Sequence, residues 1–144
     1  MAIVTRLVDP HGPLVDITIN LSEELTAERR AAGLPMMKPY LCVALVDTGA
    51  KMSLIGPEAV AALGLETVGT IDLSTPTTDR EPKPCRAFAA RFTLTLGARS
   101  TTKALTVVEA DLFDVGVGAI LGRDFLEGCL LLYNGPTGEF TLAF

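Results

Sequence analysis

The feature that most constrains the fold is a series of short apolar segments with the spacing of β-strands. Residues 14–21 alternate apolar Val15, Ile17 and Ile19 with more polar positions, which is typical of a half-buried strand. Residues 40–46 form a nearly continuous apolar run that ends at Asp47, as expected for a strand buried on both faces. Further strands are predicted over residues 67–74, 86–96, 101–108, 116–121, 130–133 and 139–142.

Only two segments carry clear helix signals. Residues 22–32 begin at a serine N-cap and end before Gly33, and a second short helix opens at Pro57 and ends before Gly64. The three prolines in residues 75–84 exclude regular pairing there. Many short strands with few helices predict a mostly-β barrel or sandwich. A chain of 144 residues suits a single domain over residues 1–144.

Composition limits the partners that the chain can bind. The net charge is −5 and no basic stripe occurs, so nucleic acid and membrane are not expected partners. Residues 1–8 lack the features of a signal peptide, and no apolar run approaches the roughly 18 residues of a membrane span. An odd set of dispersed cysteines indicates buried free thiols in a reducing, cytoplasmic setting: Cys42, Cys85 and Cys129. With His11 as the one histidine and no Cys-x-x-Cys pair, no metal or cofactor is expected.

The sharpest chemical feature is the sequence Ala-Leu-Val-Asp-Thr-Gly-Ala at residues 44–50. It places the carboxylate of Asp47 at the end of a buried strand, where a carboxylate is costly unless hydrogen bonds satisfy it. The Thr48 hydroxyl and the N–H groups of a tight turn can supply those bonds, and Gly49 allows the backbone to approach closely. Taken alone, Asp-Thr-Gly is also compatible with an ordinary turn at a strand end.

A second motif decides between these two interpretations. Residues 119–126, Ala-Ile-Leu-Gly-Arg-Asp-Phe-Leu, form an apolar strand followed by Gly122 and a charged pair. Together and in this order, the two motifs resemble the retropepsin-like aspartic protease family of retroviruses and of their cellular and bacterial relatives. In that family the first motif carries the catalytic aspartate, and the second packs beneath it and supports the loop.

The resemblance implies an acid-protease fold, a closed β-barrel with one to three short helices that works as a homodimer. It assigns the catalytic role to Asp47 and the active-site loop to Thr48, Gly49 and Ala50, with the Thr48 hydroxyl bonding across the dimer. It assigns structural support to Gly122, Arg123 and Asp124. The substrate-covering flap falls on residues 75–84, with its tip at Thr75, Pro76, Thr77 and Thr78.

One departure from the family pattern affects the charges around the loop. Lys51 stands where the family often has an acid that pairs with the arginine of the second motif. We therefore expect Arg123 to pair with another acid, and Lys51 to pair with Asp124.

Because Asp-Thr-Gly occurs once, the second carboxylate of an aspartic protease has to come from a second copy across a twofold axis. Two such carboxylates share one proton and activate a water molecule for peptide hydrolysis, without metal. An active endopeptidase acting on a peptide or protein substrate is the first interpretation. A catalytically weak or inactive peptide-binding or dimerisation module with the same fold is the second, because prolines and Lys51 interrupt the family pattern.

Overall fold

The computed structural model describes residues 1–74 and 81–144. Its strands are β1 (Ile3–Leu7), β2 (Leu14–Leu21), β3 (Tyr40–Val46), β4 (Leu54–Ile55), β5 (Gly69–Leu73), β6 (Lys83–Leu96), β7 (Arg99–Glu109), β8 (Ala119–Leu121), β9 (Leu130–Asn134) and β10 (Glu139–Ala143). Its helices are α1 (Glu23–Ala31), α2 (Pro57–Leu63) and α3 (Arg123–Leu126), and Phe113–Val115 forms a 3₁₀ turn.

Six strands close into a barrel in the order β2-β3-β8-β4-β7-β6, and β6 pairs back to β2. β5 extends the sheet beyond β6, and β1, β10 and β9 form a separate antiparallel sheet. The predicted mostly-β closed barrel with one to three short helices is confirmed for the described residues. Within those residues, no helix has the length and apolar character needed to cross a bilayer.

The alternation in β2 sets which of its side chains enter the barrel. Val15, Ile17 and Ile19 are buried, whereas Asp16 between them is exposed. Phe88 and Phe92 of β6 and Phe140 of β10 join the same apolar cluster, so the three-stranded sheet packs on the barrel. Complete burial of one such side chain stabilises the fold by about 2 kcal/mol.

Most predicted elements are present with small shifts at their ends. The two strands that flank the first helix have the predicted bounds, and α1 begins at its predicted cap, where the Ser22 hydroxyl accepts from the Leu25 N–H at 3.2 Å. The predicted strand 116–121 is wrong in its first half, because the 3₁₀ turn ends at Gly116 with a φ of 71°. No element was predicted for β1 or β4.

The predicted strands 67–74 and 86–96 correspond to β5 and β6, which pair antiparallel as the two arms of a hairpin. Its arms pair from Gly69 opposite Ala87 to Leu73 opposite Lys83. Pro84 lies inside β6, which corrects the expectation that prolines exclude pairing there. β6 gains β7 as a neighbour only from Ala87 onward, so Pro84 sits on an edge where a missing N–H is tolerated. The predicted tip residues Thr75, Pro76, Thr77 and Thr78 lie outside the described residues.

Candidate active site

Two adjacent parallel strands bring the sequence motifs together. β3 pairs with β8 in parallel, with Val46 opposite Leu121, and the Asp47 N–H donates to the Leu121 carbonyl at 3.0 Å. Both strands therefore end at the same edge of the barrel, and the residues that follow them meet there. Asp47 is half-buried at this edge, whereas Thr48 is exposed.

A tight turn fixes the orientation of the Asp47 carboxylate. Its Oδ1 accepts from the Gly49 N–H at 2.8 Å, and the Ala50 N–H donates to the Asp47 carbonyl at 3.3 Å. A Cβ at position 49 would lie 3.0 Å from Oδ1, so glycine permits this approach. The result is a carboxylate held by its own turn, with part of its surface open to solvent.

The second motif supports this turn mainly through the backbone. The Arg123 N–H donates to the Ala50 carbonyl at 2.9 Å, and Arg123 Nη1 donates to the Thr48 carbonyl at 2.8 Å. At Gly122 a Cβ would lie 2.6 Å from the carbonyl carbon of Met52 and 3.0 Å from the Ala50 oxygen. Only glycine allows β8 and the Asp47 loop to pack this closely.

A buried serine completes the support. Ser53 is fully buried, and its hydroxyl donates to Asp124 Oδ1 at 2.7 Å while accepting from the Gly122 N–H at 3.0 Å. Its own N–H donates to Asp124 Oδ2 at 3.0 Å. No role for Ser53 was predicted, because nothing in the local pattern distinguishes a buried serine from a polar turn residue.

The structure corrects the ion pairs expected around the loop. Among the described residues, neither Arg123 nor Lys51 forms an ion pair. The Arg123 guanidinium donates to backbone carbonyls instead. The Asp124 carboxylate accepts from Ser53 and from the Phe125 N–H at 2.8 Å. Lys51 is exposed.

The other candidate groups lie apart from this arrangement. The three cysteines are free and half-buried rather than buried. Burial, with a smaller contribution from Asp16, raises the pKa of Cys42 to about 11. His11 is exposed in a turn, where its N–H donates to Asp9 Oδ1 at 3.0 Å. Within residues 1–74 and 81–144, no group of three His, Cys, Asp or Glu side chains could hold a metal ion.

The family model for aspartyl proteases matches residues 38–125, which is more than half of the chain. The chain belongs to this family. The matched range contains the first motif, at residues 44–50, and residues 119–125 of the second. The family membership predicted from these motifs is confirmed.

Two solved structures are similar to this member of the aspartyl protease family. A retropepsin-like aspartic protease from Rickettsia conorii is 15% identical with a TM-score of 0.49, over 99% of this chain and 93% of that chain. The retroviral protease-like domain of Ddi1 from Leishmania major is 13% identical with a TM-score of 0.40, over 85% of this chain and 82% of that chain. No curated protein sequence matches.

Proposed function

We propose that the protein is an aspartic endopeptidase in which Asp47 of two chains forms the catalytic pair. The observation that carries the proposal is the Asp47 carboxylate, which is oriented by the Gly49 N–H at 2.8 Å and partly open to solvent at the end of β3. An aspartate used only for structure would be expected to direct both oxygens to protein donors, as Asp124 does. Membership of the aspartyl protease family supports the same conclusion.

The proposed reaction uses two carboxylates that share one proton. The ionised carboxylate takes a proton from water as the water oxygen attacks the peptide carbonyl carbon, and the protonated one donates its proton to the carbonyl oxygen. The tetrahedral intermediate then collapses: the C–N bond breaks, the nitrogen leaves with a proton from the pair, and one hydroxyl of the intermediate returns a proton to the pair, so that a carboxylic acid, an amine and the original one-proton pair result. The shared-proton state arises because two close carboxylates do not both ionise.

A second copy of the chain supplies the second carboxylate in this proposal. Asp-Thr-Gly occurs once in the sequence, and a twofold axis beside the turn would place Asp47 opposite its copy. An exposed apolar face on the three-stranded sheet supports association, since such faces mark interaction surfaces. Ile3 is 62% exposed, Leu7 75%, and Leu130 and Leu132 56% each, and all four point to the same side by the strand register.

The β5–β6 hairpin is the proposed flap. Its paired arms extend from the barrel, and the residues assigned to its tip, Thr75, Pro76, Thr77 and Thr78, would cover a peptide or protein substrate bound beside Asp47. The free cysteines support a reducing compartment such as the cytoplasm.

The test is digestion of a peptide library by the wild type and by Asp47→Asn. This variant keeps the size of the side chain and removes its charge, so the fold should survive while hydrolysis falls by roughly 10²-fold or more. Asp16→Asn is the matched control, because Asp16 is exposed on the outer side of β2, and it should cleave at the wild-type rate. Circular dichroism of each variant establishes that the fold is retained.

Cleavage by Asp47→Asn at the wild-type rate would overturn the proposal. A wild type that binds peptides from the library without cleaving them would replace it with the peptide-binding alternative.

A further inference from the structure

The side chain of Glu109, at the end of β7, is more buried than an ordinary surface carboxylate. It is 18% exposed, and its Oε2 is buried without a hydrogen-bond partner among the described residues. Arg86 Nη2 lies 2.7 Å from that oxygen and donates to Oε1 at 3.0 Å. The contact to Oε2 is therefore electrostatic rather than a well-formed hydrogen bond. A carboxylate this desolvated depends on its cation, because removing one partner of such a pair leaves an uncompensated charge.

The position of the pair in the fold suggests its role. Arg86 lies opposite Thr70 of β5, in the part of β6 that pairs with β5 before β6 joins β7 at Ala87. Glu109 lies beside Ile55 of β4. The ion pair therefore connects the base of the β5–β6 hairpin to two strands of the barrel.

Aromatic contact fixes the Arg86 guanidinium further. Its central carbon lies 5.4 Å from the centroid of the Phe88 ring, and Phe88 is fully buried in the barrel core. A cation over an aromatic face is attracted to it, and the planar guanidinium is held in one orientation. Arg86 is thus held against the core by Phe88, which lies two residues further along the same strand.

Among the described residues, few other side-chain interactions hold the hairpin in place; the Thr67 hydroxyl donates to the carbonyls of Gly69 at 2.8 Å and Ala87 at 3.2 Å. None of the five residues of β5 is buried, and neither are residues 83–86 of β6. The base has backbone support at Ala87, whose carbonyl accepts from the Val68 N–H at 2.8 Å. The other two ion pairs among the described residues, Arg6–Asp16 and Arg91–Glu23, do not involve the hairpin. Segments with little buried apolar surface open at low free-energy cost. One ion pair is therefore a large part of the free energy that keeps this hairpin closed.

We propose that Arg86 and Glu109 form a latch that holds the β5–β6 hairpin against the barrel, and that both are positioning residues for substrate binding. The first part depends only on the contacts described above. The second part rests on the proposed function, in which the hairpin covers the substrate. Loss of the latch leaves the Asp47 turn intact and loosens the hairpin.

The latch is tested by amide hydrogen exchange of the full chain, measured by mass spectrometry. Arg86→Gln and Glu109→Gln should each accelerate exchange in residues 69–73 and 83–86 by roughly three- to tenfold, and leave β2 and β3 unchanged. The double variant should exchange no faster than either single one, since both substitutions remove the same interaction. Glu23→Gln, which removes the weaker Arg91 pair at 3.7 Å, is the matched control and should leave the hairpin at its wild-type rate.

We expect Arg86→Gln to fold, because the Arg86 side chain is 61% exposed and its replacement leaves the core intact. Hairpin exchange at the wild-type rate in this variant would overturn the latch. Faster exchange spread evenly over the barrel would also overturn it, since it would assign the pair to general stability.

The positioning role is tested on a cleaved peptide. KM should rise by roughly the factor seen in exchange while kcat changes little, because the latch acts on binding rather than on the chemical step. An unchanged KM in a variant with a loosened hairpin would overturn this role. Faster hairpin exchange in a protein without peptidase activity would support the latch and refute the proposed function, so the two failures are distinguishable.

Discussion

Individual residues decide how closely the two motifs approach. A Cβ at Gly122 would lie 2.6 Å from the Met52 carbonyl carbon, and one at Gly49 would lie 3.0 Å from Asp47 Oδ1. Forcing extra atoms into such sites costs on the order of 1–3 kcal/mol and shifts the backbone. The orientation of the Asp47 carboxylate therefore depends on Gly49 and Gly122, because any side chain at these positions would clash.

Cys42 gives a prediction for alkaline pH. Burial and Asp16 raise its pKa in the folded protein from 9.0 to about 11. The unfolded chain therefore loses this proton first, and stability should fall as pH rises between about 9 and 11. Cys42→Ala should lose less stability than the wild type between pH 8 and pH 10.5, by on the order of 1 kcal/mol, because the thiol is only partly buried. Urea unfolding at the two pH values measures this, and an equal loss in both proteins would refute it.

At the scale of elements, the shortest ones are held by side-chain hydrogen bonds. β4 has two residues and α3 has four, too few to be stable alone. Ser53 comes directly before β4 and bonds to Asp124 in α3 through both its hydroxyl and its N–H. This connection fixes α3 beneath the Asp47 loop.

Ser53→Ala should destabilise the fold by about 2 kcal/mol. The variant leaves the buried Gly122 N–H without its acceptor and removes a donor from the Asp124 carboxylate, and unsatisfied buried groups carry this cost. Ser100→Ala is the control, because Ser100 makes an exposed bond to Thr95 at 2.8 Å and its loss should cost under about 0.5 kcal/mol. Denaturant unfolding compares the two variants, and equal stabilities would contradict the role of Ser53.

At the scale of the whole molecule, the proposed active site is incomplete in one chain. The chain exposes the Asp47 turn at one edge of the barrel and an apolar face on the three-stranded sheet. With 49% hydrophobic residues and a mean hydropathy of +0.40, the chain has apolar surface available for a second copy.

We expect sedimentation to show a homodimer at assay concentrations. Thr48→Ala should weaken it, because the resemblance to retropepsins assigns the Thr48 hydroxyl to a bond across the dimer. Activity should then fall most at low protein concentration, by roughly tenfold for a loss near 1.4 kcal/mol. Thr106→Ala, an exposed threonine on β7, is the control and should dimerise as the wild type does. A monomer with full activity would contradict both the dimer and the shared catalytic pair.

Local chemistry made several features of this protein predictable. The two-residue alternation of β2, the apolar run of β3 and the Ser22 cap of α1 are properties of adjacent residues, so their ends could be predicted closely. The two motifs identified the family for the same reason. Each is a short stretch of adjacent residues that can be recognised in the sequence without knowledge of the fold.

Tertiary structure alone decided the features that depend on which segments become neighbours. β1 forms only because β10 lies beside it, and β4 only because β7 and β8 flank it. The Arg123 guanidinium bonds to carbonyls of the Asp47 loop rather than to an acid because barrel closure places those acceptors within reach. Glu109 and Arg86 are distant in sequence, and only the pairing of β6 with β7 brings them together. Such contacts come from the path of the chain through space, which the local pattern of residues does not encode.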